Sequence, residues 1–120
     1  MKTICTIYEI QQALGRFEAD FEARHGMVFK EAMVLCALSR CEAESTPTRL
    51  GECTRLGASH LSKLLRSLEE RGSIERRLDP VDKRRMCFSL TPQGTKELHA
   101  IEQDEVPVPD RLRPLFENHR

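Results

Sequence analysis

Apolar residues recur at three- and four-residue steps along most of this chain, and the period changes once, after Gly72. From about residue 4 to 24 they alternate with charged residues, which predicts an amphipathic helix that ends at Gly26. A second helix, about residues 30–41, is apolar on nearly every side and is expected to be central. The stripe of the first helix is long for so small a domain. It predicts packing either within the chain or against a second subunit.

Two helices with a short gap between them follow. Thr46 has the residue type of an N-cap and Pro47 that of a first helical position, so a short helix is expected to begin there. Its inward side is predicted to carry Leu50, Cys53 and Leu56. The next helix, residues 58–71, has a leucine stripe on one side and ends at Gly72. This pair predicts a helix-turn-helix.

After Gly72 the chain alternates with a period of two. Residues 86–90 predict a half-buried strand, and residues 73–78 can pair with it across the turn DPVDKRR. Thr91 and Pro92 then start another helix, and a last short helix is expected at about 110–118. The predicted fold class is mainly α with a small β-hairpin, in the order of a winged helix-turn-helix.

Three motifs at fixed spacing add to that order: LEERG ending at Gly72, DPVDKRR starting at Asp79, and LTPQG ending at Gly94. Together they resemble the MarR family of bacterial transcription regulators. That resemblance implies a homodimer on a pseudo-palindromic, double-stranded DNA operator. It also implies a repressor that a small molecule or an oxidative signal releases. A winged-helix module that contacts proteins and binds no DNA is the alternative.

The predicted organisation is one winged helix-turn-helix domain over residues 1–120. Its DNA-binding core is expected at about 30–92. The helices of residues 1–26 and 93–120 are expected to form the dimer interface, as the resemblance implies.

The candidate DNA-binding residues are short polar or basic side chains on the two helices and in the wing. They are Thr48, Ser59, His60, Ser62, Lys63, Arg66, Lys83, Arg84 and Arg85. A helix enters the major groove with one buried apolar face and one polar face, and arginine suits a narrow minor groove. Asp79 and Asp82 are interpreted either as residues that orient the wing or as plain turn residues.

The chain departs from the family pattern at the turn of the helix-turn-helix and at its end. Thr54 and Arg55 stand where leucine and then glycine are expected, and Gly57 replaces a serine or threonine N-cap. Glycine is tolerated as an N-cap. The C-terminus is short and contains several prolines, so the dimer interface is expected to be smaller or to depend more on the first helix.

The formal net charge is zero, with 19 basic and 19 acidic residues, which at first argues against a polyanionic partner. The charge is unevenly distributed, however. Residues 46–96 contain eleven basic and six acidic residues, a net +5, and the rest of the chain carries −5. Over a Debye length of about 8 Å, a phosphate senses mainly the nearer, basic part.

The five cysteines are irregularly spaced and are expected to be reduced and mostly buried. Cys5 is the candidate for oxidant sensing, with an ordinary thiol as the alternative. The sequence predicts no catalytic residue, no metal site and no cofactor, so an enzyme is not expected. With neither a signal peptide nor a membrane-spanning run, it predicts a cytoplasmic protein.

Overall fold

The computed structural model describes residues 2–41, 45–104 and 106–117. Within these ranges the chain forms six α-helices, one 3₁₀ turn and a two-stranded antiparallel sheet. The elements are α1 (Lys2–His25), α2 (Phe29–Arg40), α3 (Pro47–Thr54), α4 (Ala58–Arg71), β1 (Ile74–Leu78), β2 (Met86–Leu90), α5 (Pro92–Gln103), the 3₁₀ turn (Asp110–Leu112) and α6 (Pro114–Glu117). The predicted fold class, mainly helical with a small hairpin, is confirmed.

The chain divides into two compact units. Residues 30–103 form the first, which we call the winged-helix unit, and residues 1–29 with 104–120 form the terminal unit. Residues 93–103, which the sequence assigned to the dimerisation helices, belong to the winged-helix unit.

The core of the winged-helix unit is aliphatic. Val34 and Leu35 of α2, Leu50 of α3 and Leu68 of α4 are fully buried. The predicted stripe of α4 is buried along its length, because i, i+3, i+4 and i+7 positions share one side of a helix. α2 also contributes Ala32 and Leu38 to this core.

Local residue chemistry sets the helix ends. The Thr46 hydroxyl accepts a hydrogen bond from the Arg49 amide at 3.2 Å, and Pro47 begins α3. Gly57 precedes α4 without a side-chain cap, and Gly72 ends that helix with a left-handed φ of 85°. These starts and stops agree with the sequence-based expectations.

The end of α4 is joined closely to the start of α5. The Thr91 hydroxyl donates to the Gly72 carbonyl at 2.6 Å and accepts from the Gly94 amide at 3.0 Å. A Cβ atom on Gly94 would collide with the Ser73 carbonyl oxygen. Only glycine therefore allows this approach of the two backbones.

The terminal unit contains α1, the 3₁₀ turn and α6. Glu9 of α1 pairs with Arg111, and Arg24 pairs with Asp104 at 2.9 Å. The single final helix predicted at about 110–118 is instead a 3₁₀ turn and a separate four-residue helix. Pro114, which lacks an N–H group, lies at the break between them. Residue 118 lies outside the described residues.

The cysteine prediction is wrong for burial. Cys5 and Cys53 are exposed, and Cys36, Cys41 and Cys87 are half-buried. Cys53 lies outside the core because α3 ends at Thr54; Leu56 falls beyond the helix, and Leu50 alone sets its inward side. None of the described helices combines the length and the apolar character needed to cross a membrane.

Candidate nucleic-acid interface

The outer face of α4 carries the predicted recognition side chains. Exposed there are Ser59, His60, Ser62, Lys63 and Arg66. The opposite face is closed by Leu61, Leu64, Leu65 and Leu68, which are each at most 7% exposed. Thr48 is exposed on α3. The structure therefore places these candidates on the solvent side of the helix-turn-helix, the arrangement that entry into a major groove requires.

A buried carboxylate on α2 helps to hold the orientation of α4. Glu31 is only 6% exposed and accepts a hydrogen bond from the Ser67 hydroxyl at 2.8 Å. The two residues lie 36 positions apart, so no local pattern pointed to this contact. Hydrogen bonding to a charged group is directional, and it restricts how α4 can rotate about its axis.

Asp79 organises the turn of the wing, which comprises β1, β2 and residues 79–85. Its side chain is buried, and one oxygen accepts hydrogen bonds from the amides of Val81 at 2.8 Å and Asp82 at 3.3 Å. The Asp79 amide donates to the Arg85 carbonyl at 2.9 Å. Both ends of the turn are held by the same residue, an Asx-type arrangement.

Asp82 holds Arg84 at the tip. Its Oδ1 accepts from the Arg84 amide at 3.1 Å and from Arg84 Nε at 3.2 Å. These two bonds, with the nearby Arg85 charge, lower the pKa of Asp82 below its ordinary 3.8. The Arg84 side chain is still 91% exposed. Lys83 and Arg85 are exposed beside it, which leaves three cations at the tip.

Two arginines of β1 have partners within the protein. Arg76 pairs with Glu69 at 3.0 Å and lies over the Phe88 ring, 5.4 Å from its centroid. Arg77 donates to the Ser89 hydroxyl at 2.9 Å. Part of the basic count from the sequence is therefore engaged within the protein.

Glu97 of α5 joins the end of α4 to β1. It accepts from Arg71 at 2.8 Å and from the Ser73 hydroxyl. Burial alone would raise the pKa of Glu97, but these two hydrogen bonds and the Arg71 charge outweigh it and lower the pKa below 4.5. The cluster is missing from the sequence prediction because its members lie 24 and 26 positions apart.

An apolar groove lies between α3, α4 and the wing. Its volume is about 670 Å³. Its apolar lining includes Leu56, Leu61, Leu65, Met86 and Phe88. Such a volume is in the range of small-molecule sites, about 300–1,000 Å³.

The part of the chain that the structure describes has no group of three His, Cys, Asp or Glu side chains arranged to hold a metal ion. Cys5, the candidate for oxidation, is exposed on α1, which belongs to the terminal unit.

The sequence matches the winged helix DNA-binding domain family over residues 29–94, more than half of the chain. The chain therefore belongs to this family. It has the winged-helix DNA-binding domain of that family, and its relatives are named as transcriptional regulators.

Two named relatives are similar to this chain in sequence. YdcH, an uncharacterised HTH-type transcriptional regulator of Bacillus subtilis strain 168, is 27% identical over 107 residues, which cover 88% of this chain and 69% of YdcH. A candidate regulatory protein for the hcr operon of Thauera aromatica is 44% identical over 45 residues. That match covers 38% of this chain and only 27% of the relative.

MarR of E. coli has the same fold. The apo wild-type structure is 25% identical, with a TM-score of 0.71 over 95% of this chain and 82% of MarR. A MarR mutant in complex with operator DNA gives 0.72 at 23% identity, over 98% of this chain and 84% of MarR. The resemblance to MarR-type regulators that the motifs predicted is confirmed.

Proposed function

We propose that this protein is a repressor that binds a pseudo-palindromic DNA operator as a homodimer. The observation that carries the proposal is the pairing of a polar α4 face with a tip of three cations, Lys83, Arg84 and Arg85. α4 would read base edges in the major groove, while Arg84 would enter the adjacent minor groove. MarR of E. coli, which has the same fold, has been crystallised with operator DNA.

The exposed apolar side chains of the terminal unit support the dimer. Ile4, Ile7 and Tyr8 of α1 are more than half exposed, as are Leu115 and Phe116 near the C-terminus. Several exposed large apolar side chains in one small unit are typical of an interaction site. A second copy of the same surface would cover it, and two winged-helix units would then face two half-sites.

A gel shift with the intergenic DNA next to the gene, followed by footprinting, tests the proposal. We expect two protected half-sites related by two-fold symmetry, and binding that weakens steeply with salt. Wild-type protein that binds no duplex at low salt would remove the DNA-binding proposal and favour the protein-interaction module. Transcription from the same DNA, with and without the protein, distinguishes a repressor from an activator. Its place of action would be the cytoplasm.

The release signal is proposed to be a small molecule bound in the apolar groove. A ligand there would contact α4 and the wing together, so it would change the distance between the two DNA-reading elements. Small aromatic acids can be screened by thermal shift on the wild type and on Ala58→Trp, which fills the groove from its rim. Stabilisation of the wild type alone supports the site, and equal stabilisation of both proteins contradicts it.

An oxidative signal through Cys5 is the second candidate. Cys5 is exposed, and Lys2 lies one turn before it on α1. Operator binding measured before and after peroxide, in the wild type and in Cys5→Ser, separates the two signals. Binding that peroxide leaves unchanged in both proteins removes Cys5 from the mechanism.

A further inference from the structure

Arg55, in the turn between α3 and α4, has an unusual backbone conformation. Its φ is 59°, and it is the sole non-glycine residue with a positive φ among those the structure describes. In this left-handed region a Cβ atom crowds the backbone carbonyl, so glycine is strongly favoured there. The resemblance to the MarR family implies a glycine at this position, where this chain has Arg55.

The turn keeps its geometry through other groups. The Thr54 hydroxyl donates to the Leu50 carbonyl at 2.7 Å and accepts from the Leu56 amide at 3.3 Å. The Arg55 amide donates to the Gly51 carbonyl at 2.8 Å. None of these bonds uses the Arg55 side chain. The left-handed conformation therefore persists because its surroundings impose it.

The guanidinium of Arg55 has no partner among the described residues. Its side chain is exposed, and it forms no hydrogen bond, ion pair or ring contact there. Arg76 and Arg84, by contrast, are each paired with a carboxylate. The side chain thus strains the turn without making a contact of its own in the described chain, and such strained positions cluster at functional sites.

The place of Arg55 in the fold suggests a partner for its guanidinium. In a helix-turn-helix the first helix crosses the DNA backbone, and the N-terminal residues of the second contact base edges. Arg55 directly follows the first of these helices and lies three residues before the second. A long cationic side chain at this position is suited to a contact with the sugar-phosphate backbone.

We propose that Arg55 binds a DNA phosphate through its exposed guanidinium. The inference rests on the proposed DNA-binding function. It predicts that Arg55 lowers folding stability and raises DNA affinity, because the arginine strains the turn and adds one cation for each copy bound. Because phosphates carry no base identity, the contact strengthens binding to every sequence equally.

Three substitutions separate the strain from the charge. Arg55→Gly removes both, Arg55→Gln removes the charge and keeps the Cβ, and Arg55→Lys keeps both. Arg16→Gln, on an exposed position of α1, is the control for the same change of net charge outside the winged-helix unit. Thermal unfolding reports the strain. Anisotropy of a fluorescein-labelled duplex of mixed sequence, over a salt series, reports the phosphate contact.

We expect Arg55→Gly and Arg55→Gln to lower the slope of log K against log salt by about 0.9 for each copy bound. Their affinity should fall roughly eight-fold per copy at about 0.1 M salt. Arg55→Gly alone should unfold at a temperature a few degrees higher than the wild type. Arg55→Lys should match the wild type in both measurements.

The outcomes distinguish this inference from the function on which it rests. If the wild type binds no duplex, the DNA-binding proposal fails and Arg55 fails with it. If the wild type binds and Arg55→Gln has the same salt slope as Arg16→Gln, the phosphate contact alone is overturned.

Discussion

The winged-helix unit keeps nearly all of its large apolar side chains inside, whereas the terminal unit exposes a row of them. Among the described residues of the winged-helix unit, the exposed large apolar side chains are Leu78 and Val81, both in the wing. Those of the terminal unit are Ile4, Ile7, Tyr8, Leu14, Val28, Leu115 and Phe116. The first unit thus contains its own core, and the second has the surface that a partner would cover.

The two units also differ in the kind of contact that joins their elements. In the winged-helix unit, partly buried polar contacts such as Glu31 with Ser67 help to specify one arrangement of the elements. In the terminal unit, ion pairs at partly exposed positions join the elements, and such pairs contribute little stability. We therefore expect substitutions in the first unit to act on folding and DNA binding, and those in the second to act on assembly.

The largest effect is expected at Gly94. Gly94→Ala should lower the free energy of unfolding by about 3 kcal/mol or more, because the new methyl group meets the Ser73 carbonyl. Urea denaturation measures it. The control is Gly15→Ala in α1, where the methyl group meets nothing within 4 Å. That change should stabilise by about 0.5–1 kcal/mol, since alanine is the better helix former. An equal loss in both variants would contradict the close approach.

Assembly should respond to the terminal unit. Ile7 is 53% exposed, and burying the exposed part of this side chain in both symmetric copies is worth about 2–3 kcal/mol. Ile7→Lys should therefore shift the protein from dimer to monomer in sedimentation experiments while its helical content stays the same. Val81→Lys introduces the same charge at a wing residue that is 94% exposed, and it should leave the dimer intact. A wild-type monomer at micromolar concentration would refute the interface.

DNA binding should respond to the wing. Arg84→Ala is expected to weaken operator binding by about 1–3 kcal/mol, because the arginine supplies the groove contact. Arg113→Ala, in the terminal unit, removes one charge and should have little effect. Titration of the footprinted duplex by anisotropy compares them. Equal losses would mean that net charge, rather than the position of Arg84, decides affinity.

The sequence predicted the winged-helix unit well because its signals are local. Thr46 and Pro47 start α3, a leucine stripe defines α4, and Gly72 ends it. The position of Arg84 at an exposed tip also followed from one short turn motif. Its role in binding stays a prediction.

What the sequence did not reveal depends on residues far apart in the chain. The Glu31–Ser67 bond and the Glu97 cluster join positions 24 to 36 residues apart, which no periodicity encodes. The exposure of Cys53 was missed because a cysteine at helical spacing looks like a core residue. For Arg55, the departure from glycine was visible, but its left-handed conformation required the structure.

The smallest effect is a pH dependence. The pKa of Glu97 is lowered in the folded state, so its stabilising contribution is complete above about pH 4.5 and is lost as the pH falls through the lower, folded value. Glu97→Gln should remove this part of the acid dependence of unfolding, as measured by urea midpoints along a pH series. Glu102→Gln, an exposed neighbour on α5, serves as the control. Parallel pH profiles for all three proteins would contradict the assignment.

The close junction of α4 and α5 has a mechanical consequence. Gly94 touches the Ser73 backbone, and the Thr91 hydroxyl donates a hydrogen bond to the Gly72 carbonyl. The end of α4 and the start of α5 therefore have little room to move relative to each other. We therefore expect α4 and α5 to move together. We expect a tilt of α5 to be transmitted to α4 through these contacts, so that a change at one helix would reorient the helix proposed to read the operator.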